Sequence, residues 1–246
     1  MVKKILVLVA CLMIVSAAWG MDPAVEDILN KIGTNQSLIK DMQADVTTVI
    51  NAELKEKKES KQEGRIWIKG DDKTKMEVMK PVKQITITSG DMMAMIDPAT
   101  GQKFVQDLKK MRQKSGKLDM GQGSKTMDKK KMYDFFNLKV TTASGGLFGG
   151  KQYVIEGTPK KPNKFLGKAN FYIDAGRYLP VKIEIFNQQG AVVSTSDIDY
   201  QKIKNIWVIA KSVTEVKLPV GKMKAEMKFE NIKLNEGISD SVFKID

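Results

Sequence analysis

The sequence predicts a mainly β chain: one domain of about 11 or 12 antiparallel strands, curled into a partly open barrel with a helical lid. Three observations carry that expectation. Short runs alternating apolar and polar residues recur between residues 43 and 234, punctuated by Gly, Pro, Asn and Asp. Helical spacing is confined to residues 22–41 and 125–137. A sheet of this many strands curls or closes because strand twist accumulates, which leaves a concave apolar face that helices can plug.

Residues 1–20 read as a signal peptide. Lys3 and Lys4 precede an apolar run over residues 5–18, too short to span a bilayer comfortably. Ala18-Trp19-Gly20 supplies small residues where a signal peptidase reads, so cleavage after Gly20 and export to the periplasm are expected, leaving one domain over residues 21–246. Leu8-Val9-Ala10-Cys11 has the look of a lipobox, but the apolar run continues past Cys11 instead of turning polar, so Cys11 reads as part of the signal.

The first helix has Asp22 as cap and Pro23 in its first turn, with Val25, Ile28, Leu29 and Ile32 at helical spacing. Gly33 is expected to end it. A strand over 43–54 follows. The charged stretch 55–63 reads as a solvated hairpin tip, and Arg65-Ile66-Trp67-Ile68-Lys69 alternates as a strand. Strands are expected over 74–79, 84–88, 92–97 and 102–108, with turns at Gly70, Pro81, Gly90 and Pro98. Residues 109–131 hold nine basic residues against two acids, and Met132, Phe135 and Phe136 lie at helical spacing after them. Ser144 and two glycine pairs around Leu147 and Phe148 form a loop. Strands resume over 152–157, 168–174, 179–187, 192–200, 207–218 and 222–234. In the last, Met223, Ala225, Met227 and Phe229 share one face, and Lys222, Lys224, Glu226, Lys228 and Glu230 the other.

Two absences bound the chemistry. The chain has no histidine, and its single cysteine lies in the signal segment. Disulfides, thiolate catalysis, Cys/His zinc sites and Ser-His-Asp triads are therefore not expected in the exported protein. Carboxylates sit beside lysines on alternating faces, with no spacing that singles out a catalytic pair, so the chain does not read as an enzyme. The net charge is +12, or +10 once Lys3 and Lys4 are lost, which favours anionic surfaces. Nucleic acid is not expected, because the chain is exported and carries no recognition motif.

Within this pattern, Met42-Gln43-Ala44-Asp45-Val46-Thr47-Thr48-Val49 and Glu63-Gly64-Arg65-Ile66-Trp67-Ile68-Lys69 resemble the opening of the LolA-type lipoprotein carriers. Ile85 to Asp91 followed by Met95-Ile96-Asp97-Pro98 is similar to that family's turn before its YDP sequence, and residues 238–245 to its terminus. The resemblance covers most of the mature chain. It implies an unclosed antiparallel β-barrel of about 11 strands with an α-helical lid, whose cavity holds acyl chains of lipoproteins on their way to the outer membrane. It also implies a monomer without cofactor or metal, working between an inner-membrane donor complex and an outer-membrane acceptor. The family's arginine-proline pair after the tryptophan strand is missing: Lys69 is followed by Gly70-Asp71-Asp72.

On this footing the expected cavity lining is Ile66, Ile68, Met76, Val78, Ile85, Ile87, Met93, Met95, Met223, Met227 and Phe229. The lid candidates are Ile28, Leu29, Ile32, Met132, Phe135 and Phe136, and Lys129, Lys130 and Lys131 are candidates for contact with an anionic membrane or a partner. Thirteen methionines follow Gly20, and their flexible thioethers suit either a cavity for disordered acyl chains or irregular gaps in a core. Trp67 serves as a ligand contact or as a ring shielding strand backbone. A lipoprotein sensor or adaptor of the same fold, and a structural envelope protein with a filled interior, are the alternative functions.

Overall fold

The structure, a computed structural model, describes residues 23–54, 56–110, 127–143, 151–161 and 166–245. The expected signal segment with Cys11, most of the basic 109–131 stretch and the loop with Leu147 and Phe148 lie outside the described residues.

The described elements are helix α1 (Pro23–Ser37), strands β1 (Asp41–Glu53), β2 (Lys57–Lys69), β3 (Lys73–Lys80), β4 (Gln84–Ser89), β5 (Met92–Ile96) and β6 (Lys103–Asp107), helix α2 (Lys129–Phe135), then β7 (Phe136–Ala143), β8 (Gln152–Pro159), β9 (Lys168–Asp174), β10 (Leu179–Phe186), β11 (Val192–Ile203), β12 (Ile206–Leu218) and β13 (Gly221–Leu234), with a 3-10 turn at Asp240–Phe243. The thirteen strands make one antiparallel sheet in the order β6-β5-β4-β3-β2-β1-β13-β12-β11-β10-β9-β8-β7. All neighbours are consecutive in sequence except β1 and β13, and the sheet stays unclosed, with β6 and β7 as its edges.

Three expectations are corrected. The strands number thirteen because β7, running on directly from α2 without a turn residue, was not foreseen. The charged stretch 55–63 is no hairpin tip: from Lys57 it belongs to β2, whose first residues pair with β1 from Glu53 back to Asn51. Helix α1 passes through Gly33 to Ser37, since Ile32 and Gln36 are both buried and their packing outweighs glycine's weak helix preference of about 1 kcal/mol.

Packing concentrates on one half of the sheet. Val25, Ile28, Leu29 and Ile32 of α1 join Met127 and Met132 in a single buried cluster with Phe136, Ile155, Ala169, Phe171, Ile173, Ile183 and Ile198. The cluster draws on β7 to β11, with Ile209 of β12 packed against it. Six strands laid flat span about 24 Å at ~4.8 Å apiece, about twice the width of one helix, so this half must curl around the helices to share one core. Asp128 caps α2 by accepting from the Lys131 backbone N–H at 2.8 Å.

The seam between β1 and β13 is fixed by side chains. Asn235, with φ 57°, accepts from the backbone N–H of Lys40 at 2.8 Å and donates to the Leu38 carbonyl at 2.9 Å. Buried Asp41 accepts from the N–H groups of Glu236 and Gly237. Asn35 of α1 donates to the Trp207 carbonyl and accepts from its N–H, taking the place of a neighbouring strand. Beyond the seam, the 3-10 turn packs against β3 and β4.

Candidate functional site

Residues directly opposite in an antiparallel ladder point to the same side of the sheet, so the register sorts faces without ambiguity. Ala44 stands opposite Ile66, Ile66 opposite Met76, Met76 opposite Thr86, Thr86 opposite Met95, and Met95 opposite Phe104. A second row runs Met42, Ile68, Thr74, Thr88, Met93, Gln106. A third joins Phe229, Val46, Gly64, Val78 and Gln84. Across β11 to β2 the same face carries Ile198, Ser212, Met227, Thr48 and Gln62, then Ser196, Thr214, Ala225, Ile50 and Ser60, then Ser194, Val216, Met223, Ala52 and Lys58. Because Ile198 belongs to the core under α1, this is the concave face.

Nine of the expected lining residues therefore share that face: Ile66, Ile68, Met76, Val78, Met93, Met95, Met223, Met227 and Phe229. Ile85 and Ile87 do not. Ile85 lies opposite Glu77, and Ile87 opposite Lys75, on the outer face. Ile87 is buried there beside Ala94, where the C-terminal turn buries Phe243. Their parity relative to Thr86 and Thr88 is what separates them. Trp67 is also on the outer face: its ring lies between the Lys75 ammonium and the Arg65 guanidinium, 5.3 and 5.9 Å from the centroid, and its Nε1–H donates to Gln43 at 3.0 Å. It shields the strand surface and faces away from the concave rows.

The concave rows are apolar or hydroxyl-bearing, with Lys58 their one charged side chain. The carboxylates of these strands, including Asp45, Glu53, Glu63, Glu77, Glu215 and Glu226, stand on the opposite face. There they meet lysines: Glu226 accepts from Lys211 at 3.1 Å and Lys228 at 3.2 Å, and those two ammonium groups hold its carboxyl below the ordinary carboxylate range. The concave rows can surround hydrocarbon and offer hydroxyls to an ester or amide, but they bring no pair of carboxylates together.

Cover differs along this face. Where α1 and α2 lie, Phe136, Phe171 and Ile173 are 0% exposed. In the rows from β13 to β6, Met42, Ala44, Val46 and Ile68 are buried, Met42 and Ile68 in a second, smaller cluster, whereas Ile66, Met76, Val78, Met93, Met95, Met223, Met227 and Phe229 remain half-buried and Phe104 is 56% exposed. Small side chains (Ala52, Ser60, Thr214, Ala225) line much of the section from β12 to β2. At the hairpin end a groove of about 470 Å³ is lined by Ala52, Lys58, Val216 and Met223 of the concave face and, in larger part, by lysines and glutamates on the opposite face of β1, β2, β12 and β13. That volume lies within the ~300–1,000 Å³ usual for small-ligand pockets. Ala52, Val216 and Ala225 were not among the expected lining residues. The alternation Ala44, Val46, Thr48, Ile50, Ala52 in β1 carried a signal for Ala52, and the shared face of Met223, Ala225, Met227 and Phe229 one for Ala225.

The lid candidates fall into one place. Ile28, Leu29, Ile32, Met132 and Phe136 are buried in the same cluster, with Phe135 packed against it, edge-on to Phe136 at 4.8 Å. Phe136 opens β7 and so belongs to the sheet. Of the three candidate contact lysines, Lys129 turns inward onto α1, donating to Glu26 at 2.6 Å and Asn30 at 2.9 Å. Lys130 is exposed and paired with Asp134, and Lys131 is exposed at the surface of α2. A second tie to α1 runs from Lys31 to the Tyr178 hydroxyl at 3.2 Å.

Comparison with known proteins gives the same architecture. No curated protein sequence matches the chain. A DUF1329 family protein from Desulfovibrio piger superposes with a TM-score of 0.64 at 14% identity, over 89% of this chain and 97% of that one. A LolA superfamily protein from Nitrosomonas europaea gives 0.60 at 14% identity, over 89% and 97%. A domain assigned to outer membrane lipoprotein sorting, from Vibrio parahaemolyticus, gives 0.63 at 16% identity, over 89% and 96%. A family model whose description reads "-like: Uncharacterized protein" matches residues 70–246. The chain belongs to that family, and its fold is the LolA-like unclosed antiparallel sheet.

Proposed function

We propose that the half-covered concave face from β13 to β6 binds the acyl chains of a lipid or lipoprotein, and that the protein is a periplasmic carrier shielding those chains on the way to the outer membrane. One observation supports this above the rest. The apolar rows of this half are rich in Ile, Val, Met and Phe, and although Met42, Ala44, Val46 and Ile68 near β1 are buried, Met76, Val78, Met93, Met95, Met223, Met227 and Phe229 stay half-exposed, whereas Phe136, Phe171 and Ile173 in the other half are fully buried beneath α1 and α2. An apolar face left half-open loses about 0.8 kcal/mol for every methylene it could bury, and an acyl chain supplies many. Methionine suits such a face because its shape follows a disordered chain. No helix among the described residues is long and apolar enough to cross a membrane.

The test is direct. Native mass spectrometry and titration with a fluorescent fatty acid should detect binding by the wild-type protein. Ala225→Trp, which fills the small-residue section between Thr214 and Ile50, should weaken it by about tenfold or more while the fold is retained. Absence of bound lipid together with no fatty-acid binding overturns the proposal. Release of the label to acceptor vesicles identifies a carrier, and binding without release identifies a sensor of the same fold.

A further inference from the structure

We propose that the two hairpin tips at the β1–β2 and β12–β13 end dock this protein on a lipid bilayer, so that the groove opens into the membrane. The inference rests on the acyl-binding reading only in making the groove a way in; the surface stands on its own observations. Leu54, Leu218 and Val220 are 46%, 41% and 65% exposed at the apex of the two tips. The tips are adjacent because Glu53 pairs with Lys222 across β1 and β13. They can abut because Gly221, at φ 143°, has no side chain: a Cβ there would lie 2.0 Å from the Glu53 carbonyl oxygen. Leu218 lies two residues beyond Val216 in β12 and so continues the concave apolar face out to the tip, and Leu54 stands in the turn directly after Glu53, where β1 ends.

Charge sits where a membrane surface would meet it. Lys58 on the concave face and Lys57, Lys217, Lys222 and Lys224 on the outer face line the groove just behind the apolar apex. Glutamates temper them, with Lys222 on Glu53 at 3.1 Å, Lys224 on Glu215 at 3.4 Å and Lys58 on Glu56 at 3.5 Å. Long lysine stems reach the phosphate layer when the residues beside them enter the acyl boundary. With local charge close to balance and a net +12 on the whole chain, apolar insertion carries the docking and anionic lipid adds to it.

Protein recovered from the exported fraction is sedimented with vesicles of phosphatidylcholine containing about one-third phosphatidylglycerol. Leu54→Ser/Leu218→Ser/Val220→Ser should cut the bound fraction about tenfold or more. Raising NaCl from about 0.1 M to about 0.5 M should cut wild-type binding less than about threefold. All three sites are exposed, so an unchanged melting curve verifies the fold of the variant. Equal sedimentation of variant and wild type overturns the proposal, as does binding abolished by salt and indifferent to the three serines. A wild-type dimer that the serines convert to monomer, with sedimentation unchanged, assigns the tips to a second copy and also overturns it. Fatty-acid titration without vesicles separates the two readings: tip-dependent sedimentation without fatty-acid binding sinks the carrier and leaves the docking surface.

Discussion

The two halves of the sheet solve the same problem in opposite ways. From β7 to β11 the concave face is filled: two helices and five strands converge on Phe136, Phe171 and Ile173, each 0% exposed. From β13 to β6 the concave face is filled only in part: Met42, Ala44, Val46 and Ile68 are 9% exposed or less, while Met76, Val78, Met95 and Phe229 stay half-open, and the outer face adds a packed site of its own, where Ile87, Ala94 and Phe243 are 5%, 0% and 1% exposed. A sheet needs one well-packed face to be stable. In the second half the outer face supplies part of that packing, and the inner rows away from β1 stay partly exposed.

The sharpest way to break this contrast is to truncate one residue in each half. Phe171→Ala should cost about 3–5 kcal/mol, the loss expected for a fully buried phenylalanine whose site cannot collapse. Met76→Ala, half-buried in the open rows, should cost no more than about 1 kcal/mol, because solvent already reaches the site. Urea unfolding with equal m-values measures both. Similar losses at the two positions would mean that the open half is packed as tightly as the other.

Next in size is the seam that joins the halves. Asn235 satisfies two backbone N–H groups and one carbonyl between α1 and β1. Asn235→Ala leaves those groups without that partner, and should cost about 1–3 kcal/mol. Its left-handed φ of 57° suits asparagine and not alanine, which adds to the loss. Hydrogen exchange should then rise at α1 more than in β3 to β5, since α1 is the element this residue ties down.

The sequence made some of this legible and hid the rest for physical reasons. Alternation exposed most strands, and β13 displayed both of its faces in one reading, with Met223 to Phe229 inside and its charges outside. Hydrophobicity alone could not tell Ile85 and Ile87 from Met76 and Met95, because either face of a strand can be apolar when both are covered. The strand β7 was concealed by its direct continuation from α2. The stretch 57–63 looked like a tip because its charges suggest solvent, yet paired charges sit well on a strand's wet face, as Lys61 and Lys80 do around Glu63 at 2.7 and 3.1 Å. Which half the helices cover depends on the pairing of β1 with β13, far apart in sequence, and no local pattern encodes that. The small residues of the concave face escaped for a similar reason: Ala52, Ala225 and Thr214 matter through the space they leave.

A smaller effect, of opposite sign, probes the plugged half. Gly33 lies inside α1, and a Cβ built there meets nothing within 4 Å. Gly33→Ala should stabilise the protein by about 0.5–1 kcal/mol through the unfolded chain and helix preference. If α1 must move for ligand to enter, the same variant should slow fatty-acid uptake without changing equilibrium affinity greatly. Unchanged uptake would assign the helices a structural role and leave the open half accessible without them.

The smallest expected effect tests the outer face of the open half. Asp240 accepts from Lys69 and Lys73, both at 2.9 Å, and hydrogen bonds from those two ammonium groups, Lys69 first, hold its carboxyl down at about 2. Lys69 also donates to the Ile238 carbonyl at 2.8 Å, so both lysines fasten the C-terminal turn that buries Phe243. A carboxyl depressed in the folded state contributes stability above its unfolded value, near 3.8, and loses it as pH falls through about 2. Asp240→Asn should therefore lower the melting temperature slightly at neutral pH, and the gap should close between about pH 4 and pH 2. The pair is exposed to solvent and salt, which keeps the effect small. Its location gives it meaning: if the turn is what packs the open half from outside, hydrogen exchange in the Asp240→Asn protein should rise in β3 and β4 and leave β8 and β9 unchanged. A uniform rise across the sheet would show that the two halves unfold as one unit and that the outer turn is no separate support.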